Sequence, residues 1–524
     1  YFSLTADTKG SKSVAIGTAA LGDQNLTTAT DTFNVAIGQE AGRSVSTGIQ
    51  NTLIGGLAGD ALTDADINVA VGHNSLSSDT LGSGSVAIGQ GSLNSQNFTT
   101  ATTTHNVAVG YLAGNQVSTG VRNTLIGALA GDAQNTSNDN VAIGYSALTT
   151  ETSGGRCVAV GLHALNTQNV GSGLDASNVA VGNQAGYAVT TGIRNTLIGG
   201  LAGDSLTDSD FNVALGDFAL SSDTLGSKSV AIGSRALFTQ NFTTAADSNN
   251  TAVGFDAGVA LTTGQNNTFI GATAGDSVTT AANNTFVGAF CGSTTQTGAQ
   301  NTAMGVTALN AGTAGNGNCA FGSGALEACT NELNTAMGQD AGTNVTSGSN
   351  NTFLGQNAGI TGSPGGNFTT GSNVVVIGNQ SIGAAHIQVD WTVASDQRDK
   401  TDFTDLDLGL DFVKALAPVT YKWDKRSNYG DRTAADYDLL DQTPDGTHKE
   451  DWLDIGFKAQ EVQALEEAAG YTTAAKKNLT VSTSDDGNQM GIQYSKFIPI
   501  LVKAIQEQNA LVVALTARIT ALEG

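Results

Sequence analysis

A short phrase recurs through roughly the first 385 residues and restricts what the chain can become more than any other feature. It reads NVAIGQEAG from 34, NTLIGGLAGD from 51, NVAVGHNSL from 68 and SVAIGQGSL from 85, and ends as NTFLGQNAG from 351 and NVVVIGNQS from 373. Twenty-one copies are present; the usual step is 17, as from 34 to 51, and three such steps followed by one of 21 give a super-repeat seen at 34, 106, 178 and 250. A unit this short cannot bury its own apolar face, so the copies must stack.

Each phrase opens with polar, apolar, small, apolar, Gly, the alternation of a short strand and far too brief for a helix. Apolar positions such as Val35 and Ile37, or Leu53 and Ile54, are expected to line an interior. Gly38, Gly55, Gly72, Gly89, Gly110 and Gly127 recur where a turn or close chain approach would exclude a Cβ. The leading Asn34, Asn51, Asn106, Asn123, Asn178 and Asn195 predict a ladder of side-chain amides satisfying turn backbone. The fold class that follows is mainly β, a parallel β-solenoid or β-roll of about 17-residue coils. At about 4.8 Å per stacked strand it would be a rod on the order of 100 Å long.

Composition narrows the partners. With 46 Asp+Glu against 22 Lys+Arg the net charge is -24, which repels phosphate backbones and anionic lipid, so neither nucleic acid nor membrane insertion is expected. The start YFSLTADTKG lacks the basic flank and apolar core of a signal peptide, and no apolar run reaches the roughly 18 residues of a membrane span. Cys157, Cys291, Cys319 and Cys329 form no CxxC pair and read as small, buried, reduced side chains. His73, His105, His163, His386 and His448 make no local metal-ligand pattern, so no metal or cofactor is expected. Asp60, Asp132 and Asp204 recur with the coils, which argues for structure rather than for paired carboxylates that hydrolyse glycans.

On the SVAIGxxA phrases, the repeats resemble the heads of trimeric autotransporter adhesins, and the resemblance implies a trimeric left-handed parallel β-roll. The extra residues of the long steps fall in GDQNLTTATDTFN, NSQNFTTATTTHN, NTQNVGSGLDASN and FTQNFTTAADSNN, which end at residues 34, 106, 178 and 250. Emerging along one edge, they offer Asn25, Asn97, Asn169 and Asn241, beside Phe98 or Phe242, as candidate receptor contacts; the alternative is that the aromatics pack between protomers. The Gly-rich ITGSPGGNFTTGS, 360 to 372, reads as either a linker or an exposed tip.

After Trp391 charge rises, glycine thins and helical patterns appear. DLGLDFVKALAPVTYKW, 407 to 423, predicts a helix stopped at Pro418 and then a strand, and DIGFKAQEVQALEEA, 454 to 468, a strand entering a helix. From about 497 to 523, Ile498, Leu501, Ile505, Gln508, Val512, Leu515, Ile519 and Leu522 alternate in steps of three and four as a coiled-coil seam, with Gln508 either a register-fixing layer or an exposed position outside the true seam. The expected organisation is a rod over 1–385, a junction over 386–394 and a small α+β domain over 395–524 that ends in this helix.

SDQRDK, LGLDFVKALAPVTYKW, IGFKAQEV and the terminal helix together resemble the endosialidase-type intramolecular chaperone at the C-terminus of phage tail spikes and fibres. The resemblance implies a domain that drives homotrimer formation and then releases itself through a Ser-Lys dyad. At the matching positions the catalytic residues would be Ser395 and Lys400, and the cleaved bond Ala394 to Ser395. The chemistry is consistent, since a serine becomes a competent nucleophile when a lysine takes its proton. Arg398 would either depress the lysine pKa or orient Asp396.

The expected function is that of a virion tail fibre, assembled in the host cytoplasm, binding a glycan or protein receptor on the host surface and other tail proteins through its N-terminus. Self-cleavage is the only enzymatic step expected. The alternatives are a bacterial trimeric surface adhesin and a glycan-depolymerising tail spike.

Overall fold

The computed structural model describes residues 2–171, 173–295, 297–311, 315–388, 391, 393–431, 437–472, 479–484 and 486–524. Of the expected junction, positions 389, 390 and 392 therefore lie outside the described residues. The chain divides into two compact units, 1–317 and 318–524, so the division falls within the repeat and not at the change of composition near Trp391.

In the first unit every phrase supplies one short strand. Val35–Ile37, Thr52–Ile54 and Val69–Val71 pair in parallel, Val35 opposite Thr52 and Thr52 opposite Val69, and this register continues coil by coil to Thr302–Met304. β-branched residues at the strand ends suit the pleat, and the next coil completes each ladder.

The facing of these strands corrects the sequence reading. The middle residue points inward: Ala36, Leu53, Phe269 and Phe286 are wholly buried, whereas Val35 and Ile37 are half-buried and Ile54 is exposed. First and third positions share a face, and the coil is too thin to enclose both faces. Its lumen takes one side chain from the strand and fills the remaining space with residues such as Leu21, Ala41 and Val45. The Val and Ile rows thus lie outside.

Two ladders fix the coil corners as the sequence predicts. Asn51 N–H donates to Asn34 Oδ1 at 2.9 Å, and Asn68 N–H to Asn51 Oδ1 at 2.9 Å, while Asn51 Nδ2 donates to Ala65 O at 2.8 Å. These amides are wholly buried, so each bond offsets a desolvation cost that would otherwise stand. Gly127, at φ 132°, packs so closely on the next coil that a Cβ would lie 2.5 Å from Gly144 O. The residue before each Asn is also left-handed, even where bulky, as in Phe33, Ile67 and Phe211 at φ 51°, 59° and 59°. Such strain persists only where stacking overdetermines the turn.

The long steps add short parallel pairs of their own. Gly82–Ser83 pairs in parallel with Thr102–Thr103, and Gly226–Ser227 with Ala246–Asp247. Ion pairs follow the super-repeat: Lys12 with Asp31 at 2.6 Å, Arg156 with Asp175 at 2.7 Å and Lys228 with Asp247 at 2.5 Å. At the remaining equivalent site the base is replaced by Gly84 and the acid by Thr103, so the two partners are exchanged together.

The second unit holds four more stacked strands, Cys319–Phe321, Thr335–Met337, Thr352–Leu354 and Val375–Ile377. The last begins one position later than the phrase suggests. Helix α1, Leu410–Ala415, is shorter than expected and leads to Val419–Tyr421, which pairs antiparallel with Asp454–Gly456. Helix α2, Ala459–Ala468, follows, then the hairpin Val481–Thr483 with Met490–Ile492, and helix α3, Phe497–Glu523. Leu408, Phe412, Val462, Val481, Phe497 and Ile500 form the core. Glu507 on α3 accepts from Leu410 N–H at 2.7 Å and so caps α1.

Helix α3 also corrects an expectation: by length and composition it is apolar enough to cross a bilayer. Its seam places Ile498, Leu501, Ile505, Val512, Leu515, Ile519 and Leu522 in the open. Only the adjoining face, Phe497, Ile500 and Ala504, is buried.

Candidate functional site

A tight turn brings the serine and lysine together. Asp396 caps the single 3-10 turn Gln397–Asp399, accepting from Arg398 N–H at 2.9 Å, and Lys400 N–H closes the turn on Gln397 O at 3.2 Å. Lys400 is thereby folded back over Ser395: its Nζ donates to Ser395 Oγ at 2.5 Å and to Ser395 O at 3.2 Å. A lysine nitrogen at this distance can take the hydroxyl proton during attack. Both residues belong to one chain and are exposed.

Of the two roles open to Arg398, the geometry supports orientation of Asp396. The guanidinium pairs with the carboxylate at 2.6 Å, which lowers the Asp396 pKa, while Asp396 raises that of Arg398. The sequence names Asp396 only as a group for Arg398 to orient and leaves its part as the cap unread; an Asp directly after the serine and two positions before an Arg is the signal of a capped turn. In the self-cleavage that the resemblance implies, Asp396→Ala should slow appearance of the C-terminal fragment by about 10-fold while leaving helix content unchanged, measured by a time course on denaturing gels, because the turn loses its cap.

The other site candidates are dispersed. Asn97, Asn169 and Asn241 accept from Thr80, Thr152 and Thr224 Oγ1 at 3.1, 3.1 and 3.0 Å; Asn25 and Asn97 are exposed, and Asn169 and Asn241 half-buried. Phe98 and Phe242, at 7% and 6% exposure, are inside their own coils, which corrects the expectation that they stand beside these amides as surface aromatics. They roof a buried network absent from the sequence reading. Asp79 and Asp223 are wholly buried and accept from Phe98 and Phe242 N–H at 3.1 and 3.0 Å. Gln240 bridges Asp223 and Ser229 at 2.6 and 2.8 Å and accepts from Asn250 at 2.9 Å. Glu151 replaces the Asp in the coil between, and the signal was that Asp79, Glu151 and Asp223 recur at the spacing of the super-repeat.

Asp60, Asp132 and Asp204 are half-buried, and burial raises their carboxyl pKa values. They stand four coils apart, roughly 19 Å, beyond the roughly 5 to 9.5 Å at which two carboxylates flank a glycosidic bond. Burial pushes the Cys157 and Cys291 thiols up to about 11 and about 12, which leaves them inert. Among the described residues no three His, Cys, Asp or Glu side chains gather as metal ligands. His163 instead lies edge-on between Tyr145 and Tyr187, with ring centroids at 5.5 and 6.1 Å.

Neither the curated proteins nor the solved structures contain a match to this chain. Residues 395–471 match the family model for the chaperone of endosialidase, a family named as a peptidase, and the match begins at the serine that Lys400 contacts.

Proposed function

We propose that the chain is the shaft of a phage tail fibre or tail spike that attaches to a host surface, built as a homotrimer by its own C-terminal domain and then cut from it. The observation that carries this reading is the Lys400 Nζ to Ser395 Oγ contact of 2.5 Å, at the first residue matched to the chaperone family and C-terminal to the last stacked strand, Val375–Ile377.

The step proceeds within the chain. Ser395 Oγ attacks the carbonyl carbon of Ala394 as Lys400 takes its proton; that proton passes to the Ser395 nitrogen as the amide C–N bond breaks, leaving an ester. Water hydrolyses the ester to an Ala394 carboxylate and a free Ser395 N-terminus. No oxidant or cofactor is required.

Two unpartnered apolar surfaces support the trimer. One is the outward row of Val and Ile along the strands, far longer than the isolated patches a monomer usually exposes. The other is the open seam of α3. Registering three glycine-rich stacks demands non-local contacts before any local gain, and a terminal trimeric domain raises local concentration and sets register. Analytical ultracentrifugation should give three copies per particle for the wild type. Leu501→Asp with Ile505→Asp should leave mainly unassembled chains; a monomeric wild type ends the proposal.

A further inference from the structure

The step into the last strand is the longest in the second unit: Thr352 pairs with Val375, a spacing of 23 where the preceding coil keeps 17. Its additional residues are ordered by the coils beneath them. Ser363 is wholly buried, its Oγ accepting from Gly359 N–H at 3.0 Å and donating to Gly366 O at 3.1 Å. Phe368 seats against Phe353 with ring centroids 5.9 Å apart. This stretch is therefore neither a loose linker nor a free tip.

Its outer side is covered by the C-terminal residues. Asn367 N–H donates to Asp486 Oδ2 at 2.9 Å, and Lys425 Nζ donates to Gln380 O at 3.0 Å. Gly362, at φ 89°, comes so close that a Cβ would lie 2.7 Å from Ser427 Cβ; at Gly366, φ 83°, it would lie 2.6 Å from Asp486 Oδ1. By contrast, the covalent connection is exposed at 381–388 and 393–400. The bond to be cut and the surfaces in contact are thus separate parts of the molecule.

We propose that the 360–372 insertion is a docking platform for the C-terminal domain, recognised only when the last coil has closed and still occupied after the Ala394–Ser395 bond is cut. The proposal rests on the cleavage reading for its biological setting. Asn367 N–H and the Gly366 backbone reach the Asp486 turn only once Phe368 is seated, so the domain senses completion of the stack. After cleavage the same contacts persist, repeated in each protomer, and multivalency slows departure.

The test uses full-length Ser395→Ala protein with a recognition site for a sequence-specific protease introduced at 385–388, cut and passed over a native sizing column, with fractions read on denaturing gels. Both fragments should co-elute; separate elution overturns the proposal. Asp486→Ala with Lys425→Met, which removes two hydrogen bonds to charged groups, should weaken retention by about 10- to 100-fold. Ser427→Trp, which adds bulk against Gly362 and leaves the Asp486 turn intact, should also release the fragment. Unchanged circular dichroism of the fragments shows that release is not unfolding; variants retained as firmly as the parent overturn the proposal. Because the cut is supplied by the added protease, a wild type that does not cleave itself refutes the cleavage reading alone.

Discussion

Wild-type protein is expected to appear on a denaturing gel as two pieces split between Ala394 and Ser395, with Ser395→Ala remaining one full-length chain. Without Oγ there is no nucleophile, and water attacking an unstrained amide is slower by many orders of magnitude. Lys400→Ala keeps the nucleophile and removes the base 2.5 Å from it, so the same bond should be cut about 10²- to 10⁴-fold more slowly. Intact mass fixes the bond. Undiminished cutting of Ser395→Ala at that position would remove Ser395 from the mechanism. Equal rates for wild type and Lys400→Ala would mean that the contact is incidental to an exposed turn.

The second large effect is expected in the rod. Gly127→Ala should cost about 3 kcal/mol or more, since the new methyl group would meet Gly144 O at 2.5 Å and Gly144 C at 2.7 Å, backbone atoms that cannot swing aside. Because coils are stabilised by their neighbours, the damage should spread to the coils on either side. Hydrogen exchange read by mass spectrometry should show accelerated exchange centred on 110–144. Gly84→Lys provides the contrast. Gly84 has φ 76° and nothing nearer a Cβ than Thr103 Cγ2 at 3.7 Å. Lys12, Arg156 and Lys228 already occupy its equivalents. That substitution should cost only about 1–2 kcal/mol, the strain of a left-handed residue without a clash. Equal losses for the two would show that left-handed backbone, and not close stacking, makes glycine necessary.

The two glycines differ in a way the sequence only half reveals. Gly127 belongs to a row without exceptions among its neighbours, as strict repetition of a steric need requires, whereas Gly84 stands where other copies carry long cations. The Asn ladder was legible for the same reason: an amide at the head of most coils can meet the same two kinds of backbone group wherever it stands. The segment that matches the chaperone family was legible through linked motifs, and the nearness of Ser395 to Lys400 through their place in them. Asp396 was harder to see, because the value of a cap depends on a turn that forms only locally, and Asp79, Glu151 and Asp223 because their burial depends on the long step above them.

Spacing by itself determined that this chain stacks in parallel coils, mostly of one length, with glycine and asparagine at the corners, since a recurring phrase forces each residue onto its equivalent. It could not determine which face of so short a strand turns inward. Alternation supplies two faces and says nothing of the room behind them, and only the closed coil, with space for Ala36 or Leu53 and none for Val35 and Ile37 as well, settles the matter. Tertiary structure likewise decided that the 360–372 insertion is covered, because that depends on distant chain segments meeting in space and not on the residues each contains, whereas the contact of Lys400 with Ser395 needs only the local turn between them.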